Sequence, residues 1–335
     1  MLDPKAKLSK KIFKKDIDRV PTRNGYGEGL VIAGEKNPRV VVLCADLTES
    51  TRSELFKERF PQRFIEVGVA EQLLVTVASG MANYGKIPFV SSYAMFSPGR
   101  NWEQIRTTIA LNDVPVKIAG AHTGVSVGPD GATHQALEDI AIMRTMPNMI
   151  VVAPADAIEA KKAVVEAAEN GKPTYLRFAK EKSPVFTTQD SPFKIGRAEI
   201  LWEGNGSTGS PQVAIIACGP LVYEALLAAE ILKRGKNKVS CVVVNCHTIK
   251  PLDEKMIVSL AKTAGAVVTV EEHQITAGLG GAVSEVLARN FPVPMEFVGM
   301  PDSFGESGKP EELLKKYKMK AMDIASAARR VVKRK

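Results

Sequence analysis

Two polar loops in the sequence hold residues that could do acid–base or ligand-binding chemistry. In the first, a short strand-like run ends, a glycine turns the chain, and Glu71 opens a helix whose next residues are apolar. The second, residues 122–135, contains two of the four histidines, His122 and His134, together with an aspartate. In alternating α/β sheets, ligands bind in the loops that follow the carboxyl ends of strands. These loops are therefore the first candidates for a functional site.

Each feature also has an ordinary structural interpretation. An acid in the first turn of a helix complements the helix dipole, which alone would account for Glu71. Solvated turns commonly carry polar residues of the kinds found in 122–135. Tyr93 and Phe96 follow a third strand-like run and by themselves are typical of core packing. The histidines lack the i, i+4 helical spacing of a metal motif, so we expect no metal site on this chain.

The elements around these loops are predicted to form a mostly parallel α/β fold, because β-branched runs alternate with helix-period segments. The first series of strands is predicted at Val40–Ala45, Phe64–Val67, Pro88–Ser92, Val114–Ala119, Met149–Ala153 and Thr174–Phe178. The second series is predicted at Val213–Cys218, Val239–Asn245, Ala266–Glu271 and Met295–Val298. Helices are predicted at 71–84, 156–169, 221–234, 253–263, 281–290 and 310–317.

The length of 335 residues exceeds what one core usually holds, which predicts two domains. A basic segment at residues 1–20 precedes the first α/β domain, 21–182. A stretch with prolines and polar clusters, 183–211, has the composition of a linker. The second and smaller α/β domain is expected at 212–335.

The formal charge of +8 is concentrated at the two ends of the chain. Residues 1–20 carry +4 and residues 309–335 carry +7, which leaves −3 for the middle. A nucleic-acid groove needs basic residues spread over the folded surface, often with stacking aromatics. Aromatic residues make up only 6% of this chain, so we expect two solvated ends and no nucleic-acid partner.

The remaining composition favours a globular protein of the cytoplasm. No apolar stretch approaches the roughly 20 residues of a membrane span. The first twenty residues contain no apolar core of a secretory signal, so a cytoplasmic location is expected. The four cysteines lie mostly in strand-like runs without CxxC pairs, as buried thiols do.

Taken in order, the two loops resemble the pyrimidine-binding domain of transketolase-type thiamine diphosphate enzymes, followed by their C-terminal domain. The resemblance covers about Thr22 to Tyr317, and its most specific part is GVAEQ followed some sixty residues later by GPDGATHQ. Further matches are Cys44-Ala-Asp46-Leu, Met146-Pro-Asn-Met, Cys218-Gly-Pro, Glu271-Glu-His273, Ala277-Gly-Leu-Gly-Gly281 and Phe304-Gly-Glu-Ser-Gly308-Lys-Pro. The resemblance implies a parallel sheet with helices on both faces at 21–182.

The resemblance implies how the cofactor would be held. Glu71 matches the glutamate that hydrogen-bonds N1′ of the pyrimidine, and Phe96 matches the aromatic residue that stacks on this ring, with Tyr93 beside it. Asp46 matches a cofactor-contacting residue at the subunit interface. Burial beside an apolar ring favours a protonated Glu71 while the helix N-terminus opposes it, and we expect burial to dominate.

The resemblance also implies a sugar-phosphate site. Asp130 matches a residue that hydrogen-bonds the C2 hydroxyl of the sugar, and His134 one near its C1 hydroxyl or reacting carbonyl. His122 matches a residue at the phosphate end. The family's phosphate anchors fall near Arg23, Ser50 and Lys180. Lys180 stands where an arginine is common, which keeps the charge and loses the bidentate fork.

One departure from the family defines the expected partner. Full-length transketolases have a preceding domain whose Gly-Asp-Gly motif and a downstream asparagine hold Mg²⁺ and the diphosphate, and no such motif precedes Glu71. The chain therefore resembles the C-terminal half of a split transketolase. We expect thiamine diphosphate as the cofactor, with the Mg²⁺ ligands on an N-terminal partner subunit. We also expect this chain to self-associate to a dimer and to form a heterotetramer with its partner.

Three alternatives remain open on the sequence. The β subunit of a 2-oxo acid dehydrogenase shares the two-domain plan, although the string DGATHQ suits polyhydroxylated donors better. A 1-deoxyxylulose-5-phosphate synthase shares Asp-Gly-x-Thr-His-Gln on one longer chain. The third is a non-catalytic α/β interaction protein that kept the fold and lost the chemistry.

Overall fold

Two β-sheets organise the chain in the computed structural model, which describes residues 1–204, 210–234 and 238–335. Within these residues the chain forms a seven-stranded sheet, a five-stranded sheet and a two-stranded ribbon that pairs Arg19–Pro21 with Lys182–Pro184. One apolar cluster contains residues of both sheets, such as Val90 and Ile216. The two α/β units therefore share a continuous core.

The first part of the chain contains eight strands and six α-helices among the described residues. They are β1 (Arg19–Pro21), α1 (Thr22–Lys36), β2 (Val40–Cys44), α2 (Glu54–Arg59), β3 (Phe64–Glu66), α3 (Glu71–Asn83), β4 (Ile87–Tyr93), α4 (Trp102–Gln104), β5 (Lys117–Ala121), α5 (Asp139–Arg144), β6 (Ile150–Val152), α6 (Ala157–Glu169), β7 (Thr174–Arg177) and β8 (Lys182–Pro184). A π-helical turn, Ile105–Ala110, continues α4, and short 3₁₀ turns occur at Pro4–Ala6, Pro61–Arg63 and Val125–Asp130.

The second part forms the smaller sheet and its helices. It contains β9 (Glu199–Trp202), β10 (Val213–Ala217), α7 (Leu221–Arg234), β11 (Cys241–Asn245), β12 (Thr248–Lys250), α8 (Glu254–Ala264), β13 (Val267–Gln274), α9 (Leu279–Asn290), β14 (Met295–Met300), α10 (Pro310–Lys316) and α11 (Ala321–Val332).

The large sheet has the order β12-β6-β7-β5-β4-β2-β3, and every pair except β12–β6 is parallel. Strands β2 and β5 are buried along their whole length, as expected for a parallel sheet covered on both faces. The smaller sheet has the order β14-β13-β10-β11-β9 with only β9 antiparallel. Strand β12 crosses back to pair with β6, which joins the second unit to the first sheet.

The predicted strands and helices occur with small shifts at their ends. Strand β5 was predicted at Val114–Ala119 and lies at Lys117–Ala121, because the chain is still turning at Val116, whose N–H donates to Val114 O. Four short strands (β1, β8, β9, β12) and helices α1, α2, α4, α5 and α11 were not predicted. Within the expected linker, β8 and β9 form, while residues 205–209 of its glycine-rich run lie outside the described residues.

The expectation of two solvated ends is wrong. Ala6, Ile12 and Ile17 of the first segment are buried in the apolar cluster of the second sheet. At the other end, α11 buries one face in the same cluster while its basic face stays exposed, with Arg330 and Arg334 paired to Glu296. The positive charge therefore marks the outer faces of packed segments.

A buried ion pair lies where the two units meet. The Arg177 guanidinium on β7 donates from Nε to Asp139 Oδ2 at 2.7 Å, and both side chains are almost fully buried. Arg177 Nη2 also donates to Glu272 O of β13 at 2.9 Å. Burial raises the pKa of Asp139, but attraction to Arg177 and its hydrogen bonds outweigh burial and the net direction is down. The pair thus ties β7 to both α5 and β13.

Replacement of Asp139 by alanine is expected to destabilise the chain by about 3–5 kcal/mol, because it leaves the Arg177 charge buried without its carboxylate. Thermal and denaturant unfolding measure this loss. Because the pKa of Asp139 is depressed, its stabilisation is present above the ordinary aspartate pKa and is lost as pH falls through the folded-state value. The matched control is Glu169→Ala, which breaks the exposed pair with Lys36 and should change stability little. Equal losses of stability in the two variants would contradict the stabilising role of the buried Asp139–Arg177 pair.

No helix among the described residues has the length and apolar character needed to cross a membrane.

Candidate active site

The predicted site residues gather at one edge of the large sheet. Strands β3, β2, β4, β5 and β7 are parallel neighbours, so their carboxyl ends meet at this edge. In strand order, the ends of these strands and the segments after them carry Glu71, then Asp46 and Ser50, then Tyr93 and Phe96, then His122, Asp130 and His134, and finally Lys180. Arg23 joins from the first turn of α1, where Thr22 Oγ1 accepts a 2.7 Å hydrogen bond from Ala179 N.

Four rings form a cluster between the two candidate loops. The centroids of Tyr93 and His122 are 3.9 Å apart, and those of Phe96 and His134 are 5.4 Å apart with their planes nearly perpendicular. Tyr93 and Phe96 are 5.9 Å apart and nearly parallel. The imidazole Nδ1 of His134 lies 3.0 Å from Thr133 Oγ1. The predicted pyrimidine-stacking residues and the predicted sugar-contacting histidines are therefore adjacent.

Glu71 begins α3, and its side chain is 2% exposed. One carboxylate oxygen accepts a 2.6 Å hydrogen bond from Arg100 Nη1, and its backbone carbonyl accepts one from Asn101 Nδ2 at 2.8 Å. The Arg100 guanidinium also lies over the Phe96 ring at 5.2 Å. The Arg100 guanidinium therefore contacts the same carboxyl group that is expected to meet the pyrimidine. Glu71 is thus buried as expected, but paired.

Arg23 and His122 form the end of the site nearest to α1. Arg23 Nη1 donates to Ser50 O at 2.7 Å and lies 3.4 Å from His122 Nε2. Burial, followed by the cations Arg23 and Lys180, lowers the pKa of His122 to about 3, so the ring is neutral at physiological pH. Burial and the neighbouring Arg52 lower the pKa of Arg23. A cation and a neutral imidazole thus face each other here.

This end of the site has unused hydrogen-bonding capacity. His122 Nδ1 and Arg23 Nε are buried and have no hydrogen-bond partner among the described residues. Buried polar groups in proteins are nearly always hydrogen-bonded, so an unpaired donor and ring nitrogen suit a polar ligand group. The unpaired Arg23 Nε and the Arg23 charge suit an anionic group of a ligand.

Asp130 and Lys180 face each other across the mouth of the site. Lys180 Nζ donates to Asp130 Oδ2 at 2.8 Å and lies 3.4 Å from Val127 O. The hydrogen bond from Lys180 holds the pKa of Asp130 below its usual range. Both side chains remain partly exposed. The carboxylate therefore stays ionised and can still accept a hydrogen bond from a ligand hydroxyl.

Asp46 lies at the exposed end of β2 and has a left-handed backbone, with φ 57°. Its N–H donates to Glu66 Oε1 at 2.7 Å, while Thr48 Oγ1 donates to Glu66 Oε2 at 2.9 Å. Glu66 therefore fixes the turn that carries Asp46. Arg100 and Glu66 were not proposed as site residues from the sequence. The available signal for Arg100 was that it is the single cation between Lys86 and Arg106.

The predicted cofactor-binding residues suit the aminopyrimidine end of thiamine diphosphate. A buried carboxylate and an aromatic ring, Glu71 and Phe96, fit the aminopyrimidine half of thiamine diphosphate. Among the residues that the structure describes, no group of three or more His, Cys, Asp or Glu could hold a metal ion. The donors present on this chain therefore fit one half of the cofactor.

Two family models match the chain. The transketolase pyrimidine-binding domain matches residues 18–185, and the transketolase C-terminal domain matches residues 204–324. These matches confirm the predicted fold class and the order of its two domains. The matched ranges also contain every predicted site residue in the first domain.

Similar proteins include both short and full-length chains. A protein of Methanocaldococcus jannaschii named as a transketolase C-terminal section is 45% identical over 92% of this chain and 95% of its own length. A 6-deoxy-6-sulfo-D-fructose transketolase subunit of a Clostridium species is 36% identical over 96% of this chain and 98% of its own length. Human transketolase is 35% identical, and the match covers 94% of this chain but 49% of the human protein.

Solved structures show the same relation. A structure described as the inactive β4 tetramer of a split-gene transketolase superposes with a TM-score of 0.86, at 42% identity, over 94% of this chain and 99% of that one. Transketolase of Leishmania mexicana, 24% identical with a TM-score of 0.79, shares the fold over 97% of this chain and 48% of its own. The chain belongs to the transketolase family. It corresponds to the section of a transketolase that contains the pyrimidine-binding domain and the C-terminal domain.

Proposed function

We propose that this chain is the C-terminal subunit of a split transketolase that transfers a two-carbon ketol unit between sugar phosphates. The observation that carries the proposal is the single sheet edge that brings Glu71, Phe96 and the 122–135 loop together. The proximity of a carboxyl group, an aromatic ring and polar loop residues supports their proposed tasks of holding a proton, stacking on the pyrimidine and contacting the sugar. The similarity to chains named as transketolase sections supports the same conclusion.

Each residue has a defined task in this proposal. Thiamine diphosphate, when bound, supplies the nucleophilic carbon needed to break a ketose C–C bond. Glu71 holds a proton at N1′ of the pyrimidine, and Phe96 and Tyr93 orient the ring. His134 exchanges a proton with the sugar near its reacting carbonyl, and Asp130 binds the C2 hydroxyl.

The remaining site residues bind the ends of the ligands. Arg23, His122, Ser50 and Lys180 hold the anionic end of the sugar, and Asp46 contacts the cofactor at the subunit interface. The diphosphate and Mg²⁺ are held by the partner chain. The proposal includes a cytoplasmic location and a role in the pentose phosphate pathway.

Assembly is part of the proposal. Two copies of this chain and two N-terminal partner chains form a heterotetramer, in which the partner carries the Gly-Asp-Gly motif. The similar structure described as an inactive β4 tetramer supports self-association of this half without activity. The relatives named above are transketolases, which favours this activity over a 2-oxo acid dehydrogenase or a 1-deoxyxylulose-5-phosphate synthase. The clustered polar residues disfavour a purely structural protein.

Co-expression with the chain that carries the Gly-Asp-Gly motif tests the function. The assembled protein is expected to convert a ketose phosphate and an aldose phosphate when thiamine diphosphate and Mg²⁺ are added. A parallel assay with 6-deoxy-6-sulfo-D-fructose asks whether Arg23 and His122 hold a sulfonate instead, as the name of one relative suggests. Turnover of a 2-oxo acid with a lipoyl acceptor, and none of a sugar phosphate, would overturn the proposal.

Replacement of Asp130 by alanine is expected to lower kcat/KM for the sugar phosphate with the preferred C2 configuration. Loss of a hydrogen bond from a ligand hydroxyl to a charged acceptor costs on the order of 1–3 kcal/mol in transition-state binding. The C2 epimer lacks this contact and should be affected less. The measurement is kcat/KM for an aldose phosphate and its C2 epimer in the assembled enzyme.

Lys180→Met is the matched control, because it also breaks the 2.8 Å pair but leaves the carboxylate in place. It should weaken phosphate binding and preserve the discrimination between epimers. If both variants lose discrimination equally, the role of Asp130 is to hold the loop and not to bind the hydroxyl.

A further inference from the structure

The loop that carries His122, Asp130 and His134 is held from outside its own domain. Glu272 lies on β13 of the C-terminal domain and is 4% exposed. Its Oε1 accepts a 2.6 Å hydrogen bond from the backbone N–H of Ser126, in the middle of the loop. This contact joins residues 146 positions apart in sequence, so it is a tertiary contact and not a local turn.

The loop backbone is shaped to admit the Glu272 side chain. Gly124 has φ +81°, and a Cβ built on it would lie 2.3 Å from Glu272 Oε1. Only glycine therefore allows the carboxylate to approach the loop this closely. Arg177 Nη2 donates to Glu272 O at 2.9 Å, which anchors the acceptor residue itself. Both sides of the contact are thus built for it.

A second segment of the C-terminal domain supports the same loop. Gln135 Nε2 donates to Glu306 O at 2.9 Å and to Val125 O at 3.0 Å. A Cβ on Gly131 would lie 2.6 Å from Ser307 Oγ. Gly128 packs against Pro310 in the same way. The loop is therefore enclosed between β13 and residues 306–310.

We infer that Glu272 is a positioning residue that holds the 122–135 loop so that Asp130, His122 and His134 face the sugar. Its carboxylate accepts from a main-chain N–H, so it fixes the path of the loop and touches no substrate. This inference gives the C-terminal domain an indirect part in substrate binding, through the path of the loop. The catalytic consequence rests on the proposed function, whereas the structural contact does not.

Two adjacent glutamates provide a matched comparison. Glu271 is also buried, but its two oxygens accept from Leu279 N and Gly280 N, at the start of α9 inside the C-terminal domain. Removal of either carboxylate takes a buried acceptor from a main-chain N–H. Only the removal of the Glu272 carboxylate leaves a main-chain N–H of the 122–135 loop without its acceptor.

Amide hydrogen exchange of the full chain tests the contact without requiring activity. Glu272→Ala is expected to speed exchange in peptides that cover 124–135 by about tenfold or more, with α9 unchanged, because a hydrogen bond to a charged acceptor is lost. Glu272→Gln keeps an acceptor oxygen and should remain close to the parent. Glu271→Ala should show the reverse pattern, with faster exchange at the start of α9 only.

Kinetics of the assembled enzyme test the consequence. Glu272→Ala is expected to lower kcat/KM for sugar phosphates about 10- to 100-fold, with restoration in Glu272→Gln. The affinity for thiamine diphosphate should change less than about threefold, because Glu71 and Phe96 lie outside the loop. Should Glu272→Ala fail to fold, Glu272→Asp shortens the reach by one methylene while keeping the charge, and the same pattern is expected.

The inference is overturned if exchange in 124–135 is unchanged in Glu272→Ala, or if Glu271→Ala affects this loop equally. It is also overturned if sugar and cofactor affinities fall together. If Glu272→Ala alters exchange in the loop but the assembled protein has no sugar-transfer activity, the inferred contact stands and the proposed function is rejected. The two failures are therefore distinguishable.

Discussion

Replacement of Glu71 by glutamine is expected to abolish sugar transfer by the assembled enzyme while leaving the fold intact. Glutamine keeps the size of the side chain and its acceptor oxygen, but a neutral amide cannot supply the proton that N1′ of the pyrimidine requires. Proton transfer by a positioned side chain contributes about 10²–10⁴-fold to rates, so a loss of at least this size is expected. Glu71 is buried at the start of α3.

The direct measurement is exchange of the C2 proton of bound thiamine diphosphate for deuterium. Glu71→Gln should slow this exchange strongly, and circular dichroism should remain that of the parent. Glu58→Gln, at an exposed glutamate of α2, is the control and should change neither. Exchange near the parental rate in the Glu71 variant would show that another residue activates the cofactor.

Arg100 contacts both residues that the proposal assigns to the aminopyrimidine, Glu71 and Phe96. Its guanidinium lies over Phe96 and donates to the Glu71 carboxylate, which are the two contacts predicted for the aminopyrimidine. Arg100 thus occupies one oxygen of the carboxyl group that the proposal assigns to N1′, at 2.6 Å. Arg100 must therefore release or share Glu71 when the pyrimidine binds. The half-exposed Arg100 side chain has room to move.

The strands were predictable because buried parallel strands are continuous apolar runs. The same logic gave no prediction for α1, a helix that contains Gly25 and Gly29. In the structure, a Cβ on Gly25 would lie 1.9 Å from Ala157 O, and one on Gly29 would lie 2.7 Å from Val164 Cβ. These glycines let α1 pack closely against α6. Their purpose depends on a neighbour more than 100 residues away, which local periodicity cannot reveal.

The sequence predicted which loops form the site, but it did not predict which side chains pair with one another there. Loops after parallel strands share an edge, so the approximate neighbourhood of Glu71, Phe96 and His122 follows from strand order alone. The pairs Arg100–Glu71 and Lys180–Asp130 depend on side-chain reach across that edge. The spacing of residues within a single loop contains no information on these partners, and charge alone does not select one among many cations.

The purified chain alone is expected to be catalytically silent and to become active only with a separate partner chain. Thiamine diphosphate has an aminopyrimidine, which Glu71 and Phe96 fit, and a diphosphate that needs oxygen ligands for Mg²⁺. Among the described residues, no cluster of His, Cys, Asp or Glu offers such ligands. We therefore expect a separate chain to hold the diphosphate end of the cofactor.

The outer surface of α3 and of the helical turn after α4 is suited to contact between chains. Val69, Leu73, Tyr84 and Leu111 are exposed hydrophobic residues around α3 and the helical turn after α4. Tyr84 is 91% exposed and Leu111 is 72% exposed. Exposed apolar residues grouped near a site typically mark an interface. We expect this face to join two copies of the chain, with the partner chains completing each site.

Calorimetric titration of thiamine diphosphate and Mg²⁺ into the purified chain, with and without the partner, is the decisive measurement. Without the partner, binding should be weak and insensitive to Mg²⁺, because the aminopyrimidine contacts alone remain. With the partner, binding should become tight and dependent on Mg²⁺, and sugar transfer should appear together with it. Tight, magnesium-dependent binding and turnover by this chain alone would show that the diphosphate is held here, and that the chain is more than one half of the enzyme.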